Sequence, residues 1–355
     1  MKPTARDIPQ SIRREFAPYF ESPVSSAGFH NPWDHPALPT LSAVLRWKTQ
    51  RNRVRAPGYR VQSLSVVPNA LPEFNEQRGR GPKTRLFWIG HASFLLELDD
   101  VRFVIDPIFG RAGGLVPRVT PAAAMPAQLS SVAAILVTHG HHDHLDPSGL
   151  RQLAAANEGK ALFIVPRGLK TALPRECEPV VELDWWEQVS VGGVRVHLVP
   201  AQHWHRRGAF DLNKSLWGGY VLEGSHRVYH SGDTGYFGGF RAIGTVFDGI
   251  DAACLPLGAY EPRWFMGSQH MSPEQSLQAM QDLSATHFVG MHWGAYDLSD
   301  EAIDAGPELA RAAAVERGIT ESHLHIVRPG GSVALHGEPG HTQAETRHSL
   351  SAQPR

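Results

Sequence analysis

Residues 132–144 constrain this chain more than any other stretch. Val132-Ala-Ala-Ile-Leu-Val137 is apolar in the manner of a buried strand, and it runs without a turn signal into Thr138-His139-Gly140-His141-His142-Asp143-His144. A strand that ends in so many polar groups must deliver them beyond the edge of its sheet, where rigid scaffolds present functional side chains. Four of these residues, His139, His141, Asp143 and His144, carry metal-ligand chemistry within six positions. His139 and His141, two apart, can project from a turning loop to one ion, and Asp143 and His144, farther along the turn, can reach a second. Imidazole suits zinc, iron, nickel or copper, and the carboxylate extends the range to manganese. A solvated polar loop is the bland alternative, and four potential ligands packed behind a buried strand argue against it.

The rest of the chain supplies a frame for that loop. RLFWIG, ASFLLELDD and VRFVID, from Arg85 to Asp106, read as short strands, the last two joined at Asp99-Asp100. ALFIVP, QVSVGG, VRVHLVPA, WGGYVLEG, HRVYHSGD, DAACLPLG and THFVGMHW follow as further strands, with a hairpin across Gly192-Gly193. Helices fall between them: SGLRQLAAA behind an Asp146 cap and Pro147, SPEQSLQAMQDL, and PELARAAAVERG. Strand-rich halves with interspersed helices predict an α/β chain built as an αβ/βα sandwich, two mixed sheets face to face with helices outside. Residues 1–80, rich in Pro, Arg and scattered aromatics, read as an N-terminal arm packing on a main domain at 81–337, and 338–355 as a disordered polar tail.

Composition excludes several classes. The formal net charge is −1, with no basic stripe, so no nucleic-acid partner is expected. Twenty histidines stand against two cysteines, Cys177 and Cys254, so a metal site here would be one of nitrogen and oxygen ligands, and the cysteines a buried, reduced pair. No secretory signal or spanning segment is legible, which leads to the expectation of a cytoplasmic protein with at most peripheral membrane contact.

Two metal sites need more ligands than one loop supplies. Three candidates stand at strand ends: His203 after VHLVPAQ, Asp233 in HSGDTGY, and His292 after THFVGM. Taken singly, each has an ordinary reading as a core histidine or a turn aspartate. Together they complete two shells, with Asp233 placed to bridge.

This ligand pattern resembles that of the metallo-β-lactamase superfamily. Longer segments resemble the N-acyl-phosphatidylethanolamine-hydrolysing phospholipase D family: FHNPWDHPALPTLSAVLRW, WIGHASFLLELD, DPIFGR, VELDWWE, PAQHWHRRG, SGDTGYF, GAYEPRWFM, QHMSPEQ and MHWGAYDLSDE, from about Phe29 to about Glu301. The resemblance implies that His139, His141 and His203 hold one metal, that Asp143, His144 and His292 hold the other, and that Asp233 bridges them. Two divalent ions are implied, with zinc expected and manganese or iron as alternatives. They would supply hydroxide at neutral pH for attack on a phosphodiester, with Asp143 and His270 as the catalytic residues. Asp106 matches a position that orients a ligand histidine from behind, unless it is an ordinary turn aspartate. His270 would donate to the phosphoryl oxygens or protonate the leaving group, unless it is a surface histidine flanking a helix. His142 replaces the family's tyrosine and, with Tyr260 and Trp264, is expected at the substrate, although a solvent-facing role suits it equally. The implied substrate is a phospholipid, cleaved to phosphatidic acid and an N-acylethanolamine. Alternatives are a lactonase or sugar-phosphate hydrolase resembling the ascorbate-6-phosphate lactonases, or a sensing protein without turnover. The arm aromatics Phe16, Tyr19, Phe20, Phe29 and Trp33 suit a membrane, a second subunit (a homodimer), or packing on the main domain.

Overall fold

Alternation along the strands sorts their side chains between two apolar layers. In strand Thr84–Gly90, Leu86 and Trp88 enter one core while Phe87 and Ile89 enter another, and in Ser93–Leu98, Phe94 and Leu96 oppose Leu95 in the same way. The first core lies between two sheets. The second lies under helices Ala70–Glu76 and Pro147–Ala156. Every residue of Thr84–Gly90, Ser93–Leu98 and Ile250–Pro256 is buried, as expected of strands covered on both faces. This is the predicted sandwich of two mixed sheets with helices outside. The structure, a computed structural model, describes residues 4, 5, 7–54 and 60–336, so the expected tail at 338–355 lies outside the described residues.

One sheet has seven strands in the order Ser332–Leu335, Thr84–Gly90, Ser93–Leu98, Val101–Ile105, Ala134–Leu136, Leu162–Pro166 and Val180–Leu183. The other has eight: Thr4–Ala5, Glu187–Val191, Val194–Val199, Gly219–Glu223, Arg227–His230, Ile250–Pro256, Ala285–Met291 and Leu324–His325. Each sheet is antiparallel at one side and parallel at the other, the change falling at Val101–Ile105 and at Arg227–His230. In consequence, the residues that follow Thr84–Gly90, Val101–Ile105 and Ala134–Leu136 emerge at one end of the first sheet. Those that follow Val194–Val199, Arg227–His230 and Ala285–Met291 emerge likewise from the second.

Local signals behave as expected where they are short-range. Asp99 and Asp100 both adopt positive φ, as do Gly192 and Gly193, the backbone that tight two-residue hairpins require. Asp146 caps its helix by accepting from Ser148 N at 3.0 Å, and Ser272 and Gln275 form a reciprocal capping box. Strand Ser332–Leu335, strand Leu324–His325 and helix Gly239–Phe247 are among the elements with no legible signal. The strands are too short to show a period, and the helix carries Gly244 in its interior, where a Cβ would lie 2.8 Å from backbone atoms of Asp282 and Leu283.

The arm is more structured than its composition suggests. It contains helix Leu41–Val54, whose first turn Thr40 caps by accepting from Ala43 N at 3.3 Å. Trp47 stacks on Phe265 with ring centroids 4.9 Å apart, and Arg46 lies 4.6 Å over Trp264. The arm's aromatics pack on the main body. Trp33 stacks between Trp185 and Phe237 and donates from Nε1 to Gln202, Phe20 stacks on Trp186, and Phe16 is buried. Tyr19 and Phe29 rest against the same core. Phe16, Tyr19, Phe20, Phe29 and Trp33 therefore anchor the arm on the main body. Both cysteines are buried and free. Among the described residues no helix is long and apolar enough to cross a membrane.

Candidate metal centre

The ligand loop is gripped from below by Asp106, at the end of Val101–Ile105 and fully buried. Its Oδ1 accepts from Thr138 N at 2.7 Å, and its Oδ2 accepts from Thr138 Oγ1 at 2.6 Å and from His144 Nδ1 at 2.7 Å. These bonds dictate tautomers. With Nδ1–H committed to Asp106, His144 must present Nε2. The Thr138 hydroxyl, having given its proton to Asp106, accepts from His139 Nδ1 at 3.0 Å, so His139 also presents Nε2. The carbonyl of Gln269 accepts from His203 Nδ1 at 3.2 Å with the same result. Ligand histidines oriented through their far nitrogen are a recurrent feature of metal sites.

The presented atoms fall into two groups. His139 Nε2 and His203 Nε2 lie 3.0 and 3.1 Å from His141 Nδ1. Nitrogens bound to one zinc at about 2.0–2.1 Å would sit about 3.3 Å apart, so this triangle is close to the size of a coordination face. Asp233 joins it to form the first group, and His91, Asp143, His144 and His292 form the second; within each group the candidate ligand atoms lie within 4.8 Å of one another. Asp233 divides its carboxylate between the two. Its Oδ1 is 3.2 Å from His144 Nε2 and 3.1 Å from His292 Nε2, while its Oδ2 is 3.8 Å from His139 Nε2 and 4.0 Å from His203 Nε2. All seven residues expected as ligands therefore converge, in the expected grouping, with Asp233 between them.

The residues fit divalent cations. His144 Nε2, His292 Nε2 and Asp233 Oδ1 are buried without a hydrogen-bond partner, an expensive state that a metal ion would relieve. Burial, reinforced by neighbouring imidazoles, holds His139 and His203 well below the ordinary histidine range, and His91 at about 3. Burial likewise takes His141 to about 3 against the pull of Asp143 and Asp233. These four rings are neutral and ready to ligate. His144 and His292 go the other way. Burial lowers them, but Asp233 and the other facing carboxylates outweigh it, raising His144 well above its usual value and His292 to about 9. Burial raises Asp143 and Asp233, and the histidines, His144 foremost, more than reverse this, so both sit well below the carboxylate norm. Two acidic groups are thus balanced by two imidazolium ions, the charge that a pair of metal ions would replace with release of protons.

His91 is the residue that the sequence reading missed. It follows Gly90 at a strand end in the left-handed region, φ 59°, and its Nε2 lies 3.1 Å from Asp143 Oδ2. The signal was present, since WIGH repeats the strand-then-histidine pattern of LVTH and VGMH. Arg207 was also missed. Its Nη1 donates to the carbonyls of Gly140, His141 and Leu145 at 2.6, 3.3 and 3.2 Å, clamping the ligand loop from outside. Nothing in a run of charged residues distinguishes such a clamp. Gly140 is required beneath it, because a Cβ there would lie 2.1 Å from His205 Cε1.

A cavity of about 460 Å³ opens onto His141, Asp143, Asp233 and His270. His270 is not a surface histidine. Its Nδ1 is buried 3.9 Å from Asp233 Oδ2, and burial lowers it to about 4, so it is a neutral imidazole facing the substrate space. His142 lines the cavity mouth, exposed, with Nε2 3.1 Å from the carbonyl oxygen of Arg207. Tyr260 and Trp264, expected at the substrate, do not line it. Ala259, at φ 62°, turns Tyr260 into the protein, and in the short helix Arg263–Met266 it is Phe265 and Met266 that face the cavity while Trp264 lies outside under Arg46.

Residues 101–293 match the model of the beta-lactamase superfamily domain. The chain is 31% identical over 299 residues to N-acyl-phosphatidylethanolamine-hydrolyzing phospholipase D 1 of Caenorhabditis elegans, covering 79% of this chain and 81% of that protein. It is 36% identical over 253 residues to the mitochondrial N-acyl-phosphatidylethanolamine-hydrolyzing phospholipase D of Saccharomyces cerevisiae, covering 66% of this chain and 52% of that one. In fold it is similar to Igni18, a metallo hydrolase of the archaeon Ignicoccus hospitalis, with TM-score 0.55, 22% identity, and 72% and 99% of the two chains covered. The chain belongs to the metallo-β-lactamase superfamily, as a metal-dependent hydrolase of the family of the N-acyl-phosphatidylethanolamine-hydrolyzing phospholipases D.

Proposed function

We propose that the chain is a two-metal phosphodiesterase of phospholipase D type, hydrolysing N-acyl-phosphatidylethanolamine or a related phospholipid to phosphatidic acid and an N-acylethanolamine. The observation that carries this reading is the composition of the cavity over the ligands. Leu38, Leu41 and Val44 of the arm line it together with Leu212, Phe265 and Met266, so a largely apolar cavity also carries the charged Asp143 and Asp233. A lipid has that polarity, with acyl chains for the walls and a phosphodiester for the floor, whereas a small lactone or sugar phosphate would leave the walls wet. Zinc is the expected metal, with manganese or iron as alternatives.

His139, His141, His203 and Asp233 would hold one divalent ion and Asp143, His144, His292 and Asp233 the other, and such ions would provide a nucleophilic hydroxide at neutral pH and charge stabilisation for the phosphoryl oxygens. The protein does the rest by placement. Asp233 and Asp143 set the spacing and charge of the two groups, and Asp106 and Thr138 hold the imidazoles in the required tautomers. His270, neutral and beside Asp233, donates an N–H to a phosphoryl oxygen. The apolar walls exclude water from the acyl side. The rim extends this pattern outward: Leu41 is 83% exposed, Leu45, one turn along, 65%, Phe210, beside cavity-lining Leu212, 96%, and Trp264 48%. Such a cluster suits peripheral contact with a bilayer from which substrate is drawn. It offers the lipid-facing surface that the sequence suggested for the arm aromatics.

The test is metal-reconstituted protein incubated with N-acyl-phosphatidylethanolamine, phosphatidylethanolamine, phosphatidylcholine, a lactone and a small aryl phosphodiester, with products read by mass spectrometry. Release of an N-acylethanolamine with phosphatidic acid supports the proposal. Brisk lactone opening without lipid turnover would replace it with the lactonase reading, and inertness toward every substrate in the fully loaded protein would favour a sensing role.

A further inference from the structure

The tract Glu261-Pro262-Arg263 carries two half-buried charged side chains that do not line the cavity. Their bonds run instead through the segment that leads from the cavity wall to His270. Glu301 grips the start of that segment: its Oε1 accepts from Ala259 N at 2.6 Å and its Oε2 from Glu261 N at 3.0 Å. Glu261 Oε2 in turn accepts from Arg263 N at 3.0 Å, at the head of the short helix Arg263–Met266 that brings Phe265 and Met266 to the cavity. The segment closes through Met266, whose carbonyl accepts from the backbone N–H groups of Gln269 and His270, each at 2.9 Å.

Arg263 spans the whole segment. Its Nη1 donates to the carbonyls of Tyr260 at 3.2 Å and His270 at 3.0 Å, and its Nη2 donates to Gln275 Oε1 at 2.7 Å. Gln275 also forms the capping box with Ser272, so one guanidinium ties together the start of the segment, its end and the helix that follows. Gly267 makes room for it, since a Cβ there would lie 2.6 Å from the Arg263 carbonyl oxygen and 3.0 Å from Nη2. A rigid fork of donors suits three acceptors in fixed directions, which the compact ammonium of a lysine does not. The consequence falls on His270. Three other histidines of the site are held through Nδ1: His144 by Asp106, His139 by Thr138 and His203 by the Gln269 carbonyl. Nδ1 of His270 is buried without a hydrogen-bond partner, 3.9 Å from Asp233 Oδ2. With no such tether on Nδ1, the ring takes its place from the main chain, and the main chain at His270 is fixed by Met266 through its N–H and by Arg263 through its carbonyl.

We propose that Arg263 is a positioning residue for the hydrolysis: it holds His270 where the imidazole reaches the phosphoryl oxygen, and it makes His270 and the apolar wall at Phe265 and Met266 one unit. The proposal rests on the reading of His270 as the donor to that oxygen. Because Arg263 acts through His270, its removal costs no more than the removal of His270 itself.

The test is a double-mutant cycle in metal-loaded full-length protein, with a small aryl phosphodiester as substrate so that acyl contacts do not enter. Arg263→Gln should lower kcat by about 10–100-fold, the cost of a misplacement on the order of 1 Å, with metal content kept and KM little changed. Arg263→Lys, which keeps a donor for one carbonyl, should recover part of the loss. In a His270→Ala background, Arg263→Gln should cost no more than about twofold, because the group it positions is gone. A loss of equal size in both backgrounds makes Arg263 a purely structural residue and overturns the proposal, as does an unchanged kcat in Arg263→Gln. If His270→Ala alone leaves kcat unchanged, the reading of His270 fails and the proposal with it. A crystal structure of metal-loaded Arg263→Gln needs no turnover: the His270 ring should be displaced relative to Asp233, and an undisplaced ring overturns the proposal even in a protein that hydrolyses no phosphodiester.

Discussion

Replacing Asp106 with asparagine tests whether tautomer control organises the metal centre. Asp106 Oδ1 accepts from a backbone N–H, so the asparagine must keep its oxygen there and place its amide nitrogen where Oδ2 now accepts from Thr138 Oγ1 and His144 Nδ1. A donor now faces His144 Nδ1. The ring responds by moving its proton to Nε2, the atom 3.2 Å from Asp233 Oδ1 that should bind metal. Loss of such an orienting partner typically costs about 10–100-fold in metal affinity, equivalent to about 1.4–2.7 kcal/mol. The metal-free fold should also lose about 1–3 kcal/mol, because the site is fully buried and His144 loses the carboxylate that accepts from it. Elemental analysis after dialysis against graded chelator should find one metal lost well before the other, since His139 keeps the Thr138 oxygen and His203 the Gln269 carbonyl. Thr138→Val is the companion variant, and its effect should fall on the His139 group instead. If Asp106→Asn retains both metals with wild-type affinity, the tautomer argument is wrong and Asp106 serves only the turn.

The wild-type protein should carry about two metal ions per chain, and Asp233→Ala should lose most of both by elemental analysis, because its two oxygens face the two groups. A metal-free but active wild type would overturn this. His270→Ala should keep its metals while kcat falls by about 10²–10⁴-fold, the usual worth of a well-placed acid–base or donor group; unchanged turnover would make it a bystander. Leu41→Asp with Val44→Asp should weaken turnover of lipid in vesicles while sparing a small soluble phosphodiester, since the walls change and the floor does not. A parallel fall in both activities, together with thermal stability, would assign the arm a purely structural role. Gly140→Ala should lower metal content, because the ligand loop must shift away from His205 to admit a Cβ.

What could be read from the chain alone was whatever local chemistry dictates. Apolar runs ending in histidine, paired aspartates or glycines between strands, and Asp146 or Ser272 ahead of a helix each act within a few residues, so the strands, hairpins, caps and seven candidate ligands were legible. Long-range packing decided the rest. His91 becomes a candidate ligand only because two sheets bring its strand end against Asp143 and His292. Arg207 is a clamp only because its loop folds back over Gly140. Phe20 and Trp33 were exposed candidates by composition, yet they found aromatic partners far along the chain, whereas Leu41, on a helix with no obvious sequence signal, came to line the cavity. The same holds for Tyr260 and Trp264: a single positive φ at Ala259 and the rotation per residue of one helical turn gave the cavity to Phe265 and Met266 instead. Side-chain type is set by sequence, but the direction in which a loop residue points depends on backbone angles that only the assembled sheets impose.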